Sequence, residues 1–284
     1  MRRILVRCRS VWAMAFVPGG SWPSTARFLI LLLALVAAFG SVLPLAADEQ
    51  AQGRRLYLPA VTASKQPPPL DCNLPGGYSS LSVSGPPLTE DPETNHNLNL
   101  GVRGYAEVDE TLDLVQMGAV HDGRAPQLAG MFGDLRTPAF TTAYRAYNWS
   151  EDCNCPVDNN SPWDVTVLGM GVQRGETIYT PDSGYDIGGG HEYLVLYAGE
   201  SDLTLHIGRE DEFFGYVLHI DGVCTDPELL ALYRQLHAGG RGQLPALRGH
   251  QPFGVALTDE VQIGIRDWGG FLDPRSRNDW WQGR

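Results

Sequence analysis

Two histidines and a carboxylate, His206, His219 and Glu260, stand on short runs in which apolar and polar residues alternate. In Leu203–Ile207 (LTLHI), Thr204 and His206 face away from Leu203, Leu205 and Ile207. In Phe214–Val223 (FGYVLHIDGV), His219 and Asp221 face away from Tyr216, Leu218 and Ile220. In Glu260–Asp267 (EVQIGIRD), Val261, Ile263 and Ile265 form one face, and Glu260, Gln262, Gly264 and Arg266 the other. Period two marks a strand with one buried face. Should the polar faces line one groove, His206, His219 and Glu260 meet, with Asp211 and Asp221 as further oxygen donors. Two histidines and a carboxylate can hold zinc and leave a position open for water. The simpler reading leaves the histidines bonded to their neighbours and the site free of metal. His206, His219, Glu260, Gln262 and Arg266 are then contacts for a bound ligand, not catalysts, and no cofactor is expected.

Other chemistries fail on spacing. The glycines at Gly169, Gly171 and Gly175 do not space as a dinucleotide loop, and no GxSxG is present. Cysteine usage fits an oxidising compartment. Cys72, Cys153, Cys155 and Cys224 make an even set once Cys8 leaves with the leader. One residue separates Cys153 from Cys155, which strains a direct bond. Two disulfides are therefore expected, each joining one of these cysteines to Cys72 or Cys224.

The elements follow from the same patterning. Residues 1–47 carry five arginines and no acid, with an apolar run from Phe28 to Leu45 and small residues at Ala46–Ala47. That is the order of a signal peptide, or of an N-terminal anchor if uncleaved, and it places the rest outside the cytoplasm. Without those arginines, 16 basic residues face 33 acidic ones, a formal charge of −17. Such a charge argues against nucleic acid as a partner, and against a membrane except through the N-terminal segment. Residues 48–70 read as a proline-rich linker ending in PPPL. Residues 71–163 read as an irregular region with strand candidates at Asn97–Tyr105 and Phe140–Trp149, and residues 164–284 as a β domain. One helix is expected near 227–238. Asp226 caps it, Pro227 stands at its first position, and Leu229, Leu232, Tyr233 and Leu236 share a face. Trp280–Trp281 is expected to seal an edge of the β structure rather than to stack on sugar.

Four blocks then carry a resemblance: GETIYTP (Gly175–Pro181), HEYLVLYAGESDLTLHI (His191–Ile207), ALRGHQPFGVA (Ala246–Ala256) and EVQIGIRDWGGFLDPR (Glu260–Arg275). Their order resembles the barrel of the lysostaphin-like metallopeptidases. The resemblance implies a mainly β fold, a β-sandwich or half-barrel with one helix. It does not carry the metal. Active members of that family use His-x3-Asp and His-x-His; here Val195 stands four residues after His191, Ala125 four after His121, and Glu260–Val261–Gln262 stands where His-x-His would. Three further blocks, GREDEFFGY (Gly208–Tyr216), DPELLALY (Asp226–Tyr233) and IRDWGGFLDPRSRNDWW (Ile265–Trp281), resemble a family of secreted bacterial proteins with no assigned activity. The combined expectation is an exported, non-catalytic β module for an extracellular ligand such as a cell-wall polymer or glycan. The alternative is a metal-dependent hydrolase, a divergent member of the peptidase family.

Overall fold

β-branched and aromatic residues at alternate positions set the architecture. A computed structural model of the protein describes residues 68–117, 122–158 and 161–283. The expectations for the leader at 1–47, and for all but the end of the linker at 48–70, lie outside them. In chain order the strands are β1 (Ser79–Ser82), β2 (Tyr105–Glu107), β3 (Phe140–Ala146), β4 (Asn148–Ser150), β5 (Cys155–Val157), β6 (Val167–Gly171), β7 (Thr177–Tyr179), β8 (Tyr193–Ala198), β9 (Asp202–His206), β10 (Val217–Asp221), β11 (Val223–Thr225), β12 (Gln243–Leu247), β13 (Pro252–Ala256), β14 (Glu260–Asp267) and β15 (Gly270–Leu272). The helices are α1 (Leu100–Arg103), α2 (Pro227–Ala238) and α3 (Arg277–Trp280). The protein is mainly β, as its patterning requires.

The main sheet runs β1-β12-β8-β9-β10-β14-β6-β3-β2, and β15 pairs with β14 beyond the reach of β6. All of its neighbours are antiparallel. The sheet runs across the expected boundary near 163–164: β1 pairs with β12, β3 with β6 and β2 with β3 in one continuous sheet. β11, β13 and β7 make a second small sheet, and β4–β5 a hairpin.

The core lies on one face of the main sheet. Leu205, Leu218 and Ile265 are cross-strand partners, as are Leu203, Ile220 and Ile263. All are fully buried or nearly so, and the same cluster includes Phe253, Ile178 and Val223 of the small sheet and Leu229 and Tyr233 of α2. α2 forms where its caps predict. The Asp226 side chain accepts from the Glu228 and Leu74 backbone N–H groups, and Pro227 occupies the first turn. Trp280 and Trp281 are buried, and their indole N–H groups donate to the Asp273 and Pro274 carbonyls. They seal the core, as expected.

Two local expectations need correction. Asn97–Tyr105 is not a strand. Asn99 accepts from the Val102 N–H and caps α1, and Gly104, at φ +75°, ends it before β2. Cys153 and Cys155 are bonded to each other, and Cys72 is bonded to Cys224. The short loop between β4 and β5 turns back at Asn154, whose φ of +49° brings the flanking Cα atoms to 5.2 Å, within disulfide range. An extended chain across three residues would hold them too far apart; the left-handed asparagine removes that obstacle.

Candidate functional site

Antiparallel register puts the five residues singled out by sequence on one sheet face but not into one site. Val217 pairs with both His206 and Arg266, His219 with Thr204 and Gly264, and Asp221 with Asp202 and Gln262. Glu260 lies four residues from Gly264, the partner of His219, which is roughly 13 Å along the strand. The zinc set His206–His219–Glu260 therefore does not converge, and among the described residues no three His, Cys, Asp or Glu side chains gather as metal ligands. Nor is this face an open groove near the histidines. The segment 95–107 covers it: Thr204 donates to the Leu98 carbonyl, Asn99 to the Tyr197 hydroxyl, Arg266 to the Asn97 carbonyl and Tyr105 to Asp221.

His206 is spent locally. Its ring nitrogens lie 3.1 Å from the Glu210 carbonyl and 2.6 Å from the Phe214 carbonyl, and burial lowers its pKa. His219 is more unusual. The single hydroxyl proton of Thr204 goes to the Leu98 carbonyl, so His219 Nδ1 must donate to Thr204 Oγ1 at 3.1 Å. Nε2 is then a bare acceptor, buried and without a hydrogen-bond partner. Burial, then the charges of Arg266 and Arg103, push this imidazole well below its ordinary pKa, so it stays neutral. Among the described residues neither arginine is in an ion pair with a carboxylate, and only the charge of Glu151 acts on Arg103. Arg103 donates to the His96 and Tyr147 carbonyls and to Asn97 Oδ1, Arg266 to the Gly269 and Asn97 carbonyls, and both stand over the Phe271 ring. Guanidinium groups keep their charge. The unpartnered Nε2 of His219 thus looks onto cations, the wrong field for a metal ion.

Glu260 and Gln262 belong to a second cluster. A bulge between Phe140 and Thr142 lets two successive threonines turn toward β14. Thr141 and Thr142 both donate to Glu260 Oε2, the latter at 2.7 Å; Tyr144 and Gln262 donate to Oε1 at 2.8 and 2.6 Å. Only a glycine at 169, on the strand between them, leaves room for this carboxylate. Burial disfavours its charge, but the four donors outweigh burial and hold it below its usual pKa. Asp221 behaves oppositely. Burial, then the charge of Asp202, raises it to about 7, against the hydrogen bond from Tyr105. Carboxylates driven apart in this way can form an acid–base pair. Here the would-be base has its lone pairs filled by four donors, and the cluster instead bolts β3 to β14. Thr141, Thr142, Tyr144 and Tyr105 lie more than a hundred residues from the carboxylates they serve, and no local sequence signal marks them.

The surface that sequence reading passed over is the tip of the β14–β15 hairpin. Trp268 is 78% exposed and Phe214 45% exposed, with ring centroids 6.1 Å apart; Phe213 packs at a tilt against Phe214 at 4.8 Å. Trp268 and Gly269 form the two-residue turn, at φ +47° and +80°. Two positive φ values at the central positions define a type I′ turn, whose preferred sequence is Asn-Gly. Comparison of the chain with protein-family models, curated proteins and solved structures finds no match.

Proposed function

We propose that this protein is an exported, non-catalytic β module that holds a glycan chain of the cell surface on the aromatic tip of its β14–β15 hairpin. One observation carries the reading. Trp268 occupies a backbone conformation that disfavours any bulky residue, and exposes a large apolar ring to water in doing so. A residue that breaks the local rule without a packing return belongs to a contact surface. Phe214 widens the platform, and an indole face with a neighbouring ring suits the apolar face of a sugar. The −17 charge of the exported portion argues for a neutral or cationic polymer over nucleic acid or anionic lipid.

The absence of catalysis in this reading rests on commitment of the polar groups. His206 is taken up by carbonyls and Glu260 by four donors, and His219 lies under two buried arginines. Co-sedimentation with insoluble peptidoglycan, chitin and cellulose tests the proposal. Wild-type protein should pellet with at least one of these, and Trp268→Ala should remain in solution with unchanged circular dichroism. Equal pelleting of the two proteins removes Trp268 from the contact surface.

A further inference from the structure

Beside the same hairpin, on the side of Asp267 and Leu272, lies a cavity of about 180 Å³ with aromatic and acidic walls. Trp163, Tyr216 and Trp280 supply the rings, and Tyr216 and Trp280 meet edge to face with centroids 5.8 Å apart. Asp267, Asp273 and Asp279 supply the carboxylates. Two of these are engaged: Asp273 pairs with Arg275 at 2.7 Å, and Asp279 accepts from the Ser276 hydroxyl. Asp267 has no cationic partner among the described residues. It is partly buried, and burial raises its pKa with only the Trp268 N–H opposing and Asp122 adding to the rise. Tyr216 is shifted upward by burial and then by the charges of Asp122 and Asp267, with Asp279 adding to them, so the field at the rings is negative.

We propose that this cavity binds a quaternary ammonium group. Ring faces attract a cation through their quadrupoles, and a trimethylated head offers charge without hydrogen-bond donors that would need partners. A partly desolvated carboxylate without a counter-ion completes the match. A primary ammonium is strongly hydrated and asks for acceptors on three sides; with Asp273 and Asp279 already engaged, the cavity offers it mainly Asp267 and ring faces. An anion meets the Asp267 and Asp279 carboxylates and is repelled. The binding group is a small head, so it adds to the glycan platform rather than replacing it, and it stands whether or not that platform binds sugar.

Choline, its neutral isostere 3,3-dimethyl-1-butanol and butylamine distinguish the possibilities when titrated into the full protein. The readouts are tryptophan fluorescence and saturation-transfer NMR. Choline should bind saturably, with the isostere and butylamine each at least about tenfold weaker. Asp267→Asn should weaken choline by about tenfold, the loss of one charge contact. Trp163→Ala, at a partly exposed position, should weaken it similarly while circular dichroism stays unchanged. Trp268→Ala should leave choline affinity as it was. Failure of choline to saturate overturns the proposal. So does equal binding of the isostere or of butylamine, or wild-type affinity in Asp267→Asn. Loss of choline binding in Trp268→Ala overturns the separation of the two surfaces.

Discussion

Trp268→Asn should stabilise the protein while abolishing its contact with glycan. The tryptophan holds φ +47° at the first central position of a type I′ turn, followed by Gly269 at +80°. A non-glycine residue in the left-handed region costs about 1–2 kcal/mol, and asparagine is the residue that tolerates it best after glycine. Against that gain stands the loss of the ring contact with Phe214 at 6.1 Å, about 0.5–1.5 kcal/mol when well packed and less at a ring this exposed. The balance is roughly 0.5–1 kcal/mol in favour of asparagine, a rise in Tm of about 1–4 °C for a chain of this size. Urea unfolding followed by circular dichroism, with the slope held constant between variants, measures it. Trp268→Ala supplies the control, since alanine removes the ring but gains little in the turn. A destabilisation of Trp268→Asn by more than ~1 kcal/mol would refute the reasoning. It would mean that the indole is a packing residue and that its exposure has no functional meaning.

Five further outcomes concern the buried charges, the bridges and the metal. Asp211 and Arg241 form a two-pronged, fully buried ion pair at 2.6 and 2.7 Å; Asp211→Ala should cost about 3–5 kcal/mol in urea, more than Asp211 and Arg241 replaced together by apolar residues. Opening Cys72–Cys224 should cost about 2–5 kcal/mol, and opening Cys153–Cys155 far less because its loop is so short; non-reduced peptide mapping should find both bridges. Asp221 is raised to about 7 in the fold against about 3.9 unfolded, so the folded state binds more protons between those values and stability falls as pH rises through that window; Asp221→Asn should flatten this slope and melt higher than wild type at pH 8. Glu260 shifts the other way, so its contribution is present above about pH 4.3 and is lost as pH falls below it; Glu260→Gln should lose stability at pH 7 and little at pH 3. A chelator should leave Tm unchanged; a drop, with one equivalent of zinc released, would restore the hydrolase alternative.

What could be read from sequence is what local physics decides. α2 was legible because capping, proline placement and apolar spacing all act within one helix. The core face of β14 was legible because alternation assigns Val261, Ile263 and Ile265 to one side whatever the partner strand. The site was not legible, because it depends on register and on what covers a face. Alternation correctly put His206, His219 and Arg266 on one side, but it cannot say that residues 95–107 fold back over them, and Asn97–Tyr105 itself looked like a strand until Asn99 turned it into a capped helix. The Cys153–Cys155 bond hid behind the backbone of one residue, Asn154. The Trp268-Gly269 turn was in plain view, yet its oddity shows only once the two φ values are known.

The Cys72–Cys224 bridge has a mechanical meaning for a module held at a surface from its N-terminal side. β1 is an edge strand, joined to β12 by a short ladder, and an edge strand pulled from its end peels one pair at a time. The bridge lies upstream of β1 in the chain and lands on β11, in the small sheet that closes the core. Tension entering before Cys72 would cross at sulfur to residue 224, which leaves the β1–β12 ladder off the covalent line. Were the N-terminal segment a tether, β1 would not be peeled from its end, and reduction of this one bond would expose its ladder to that peeling.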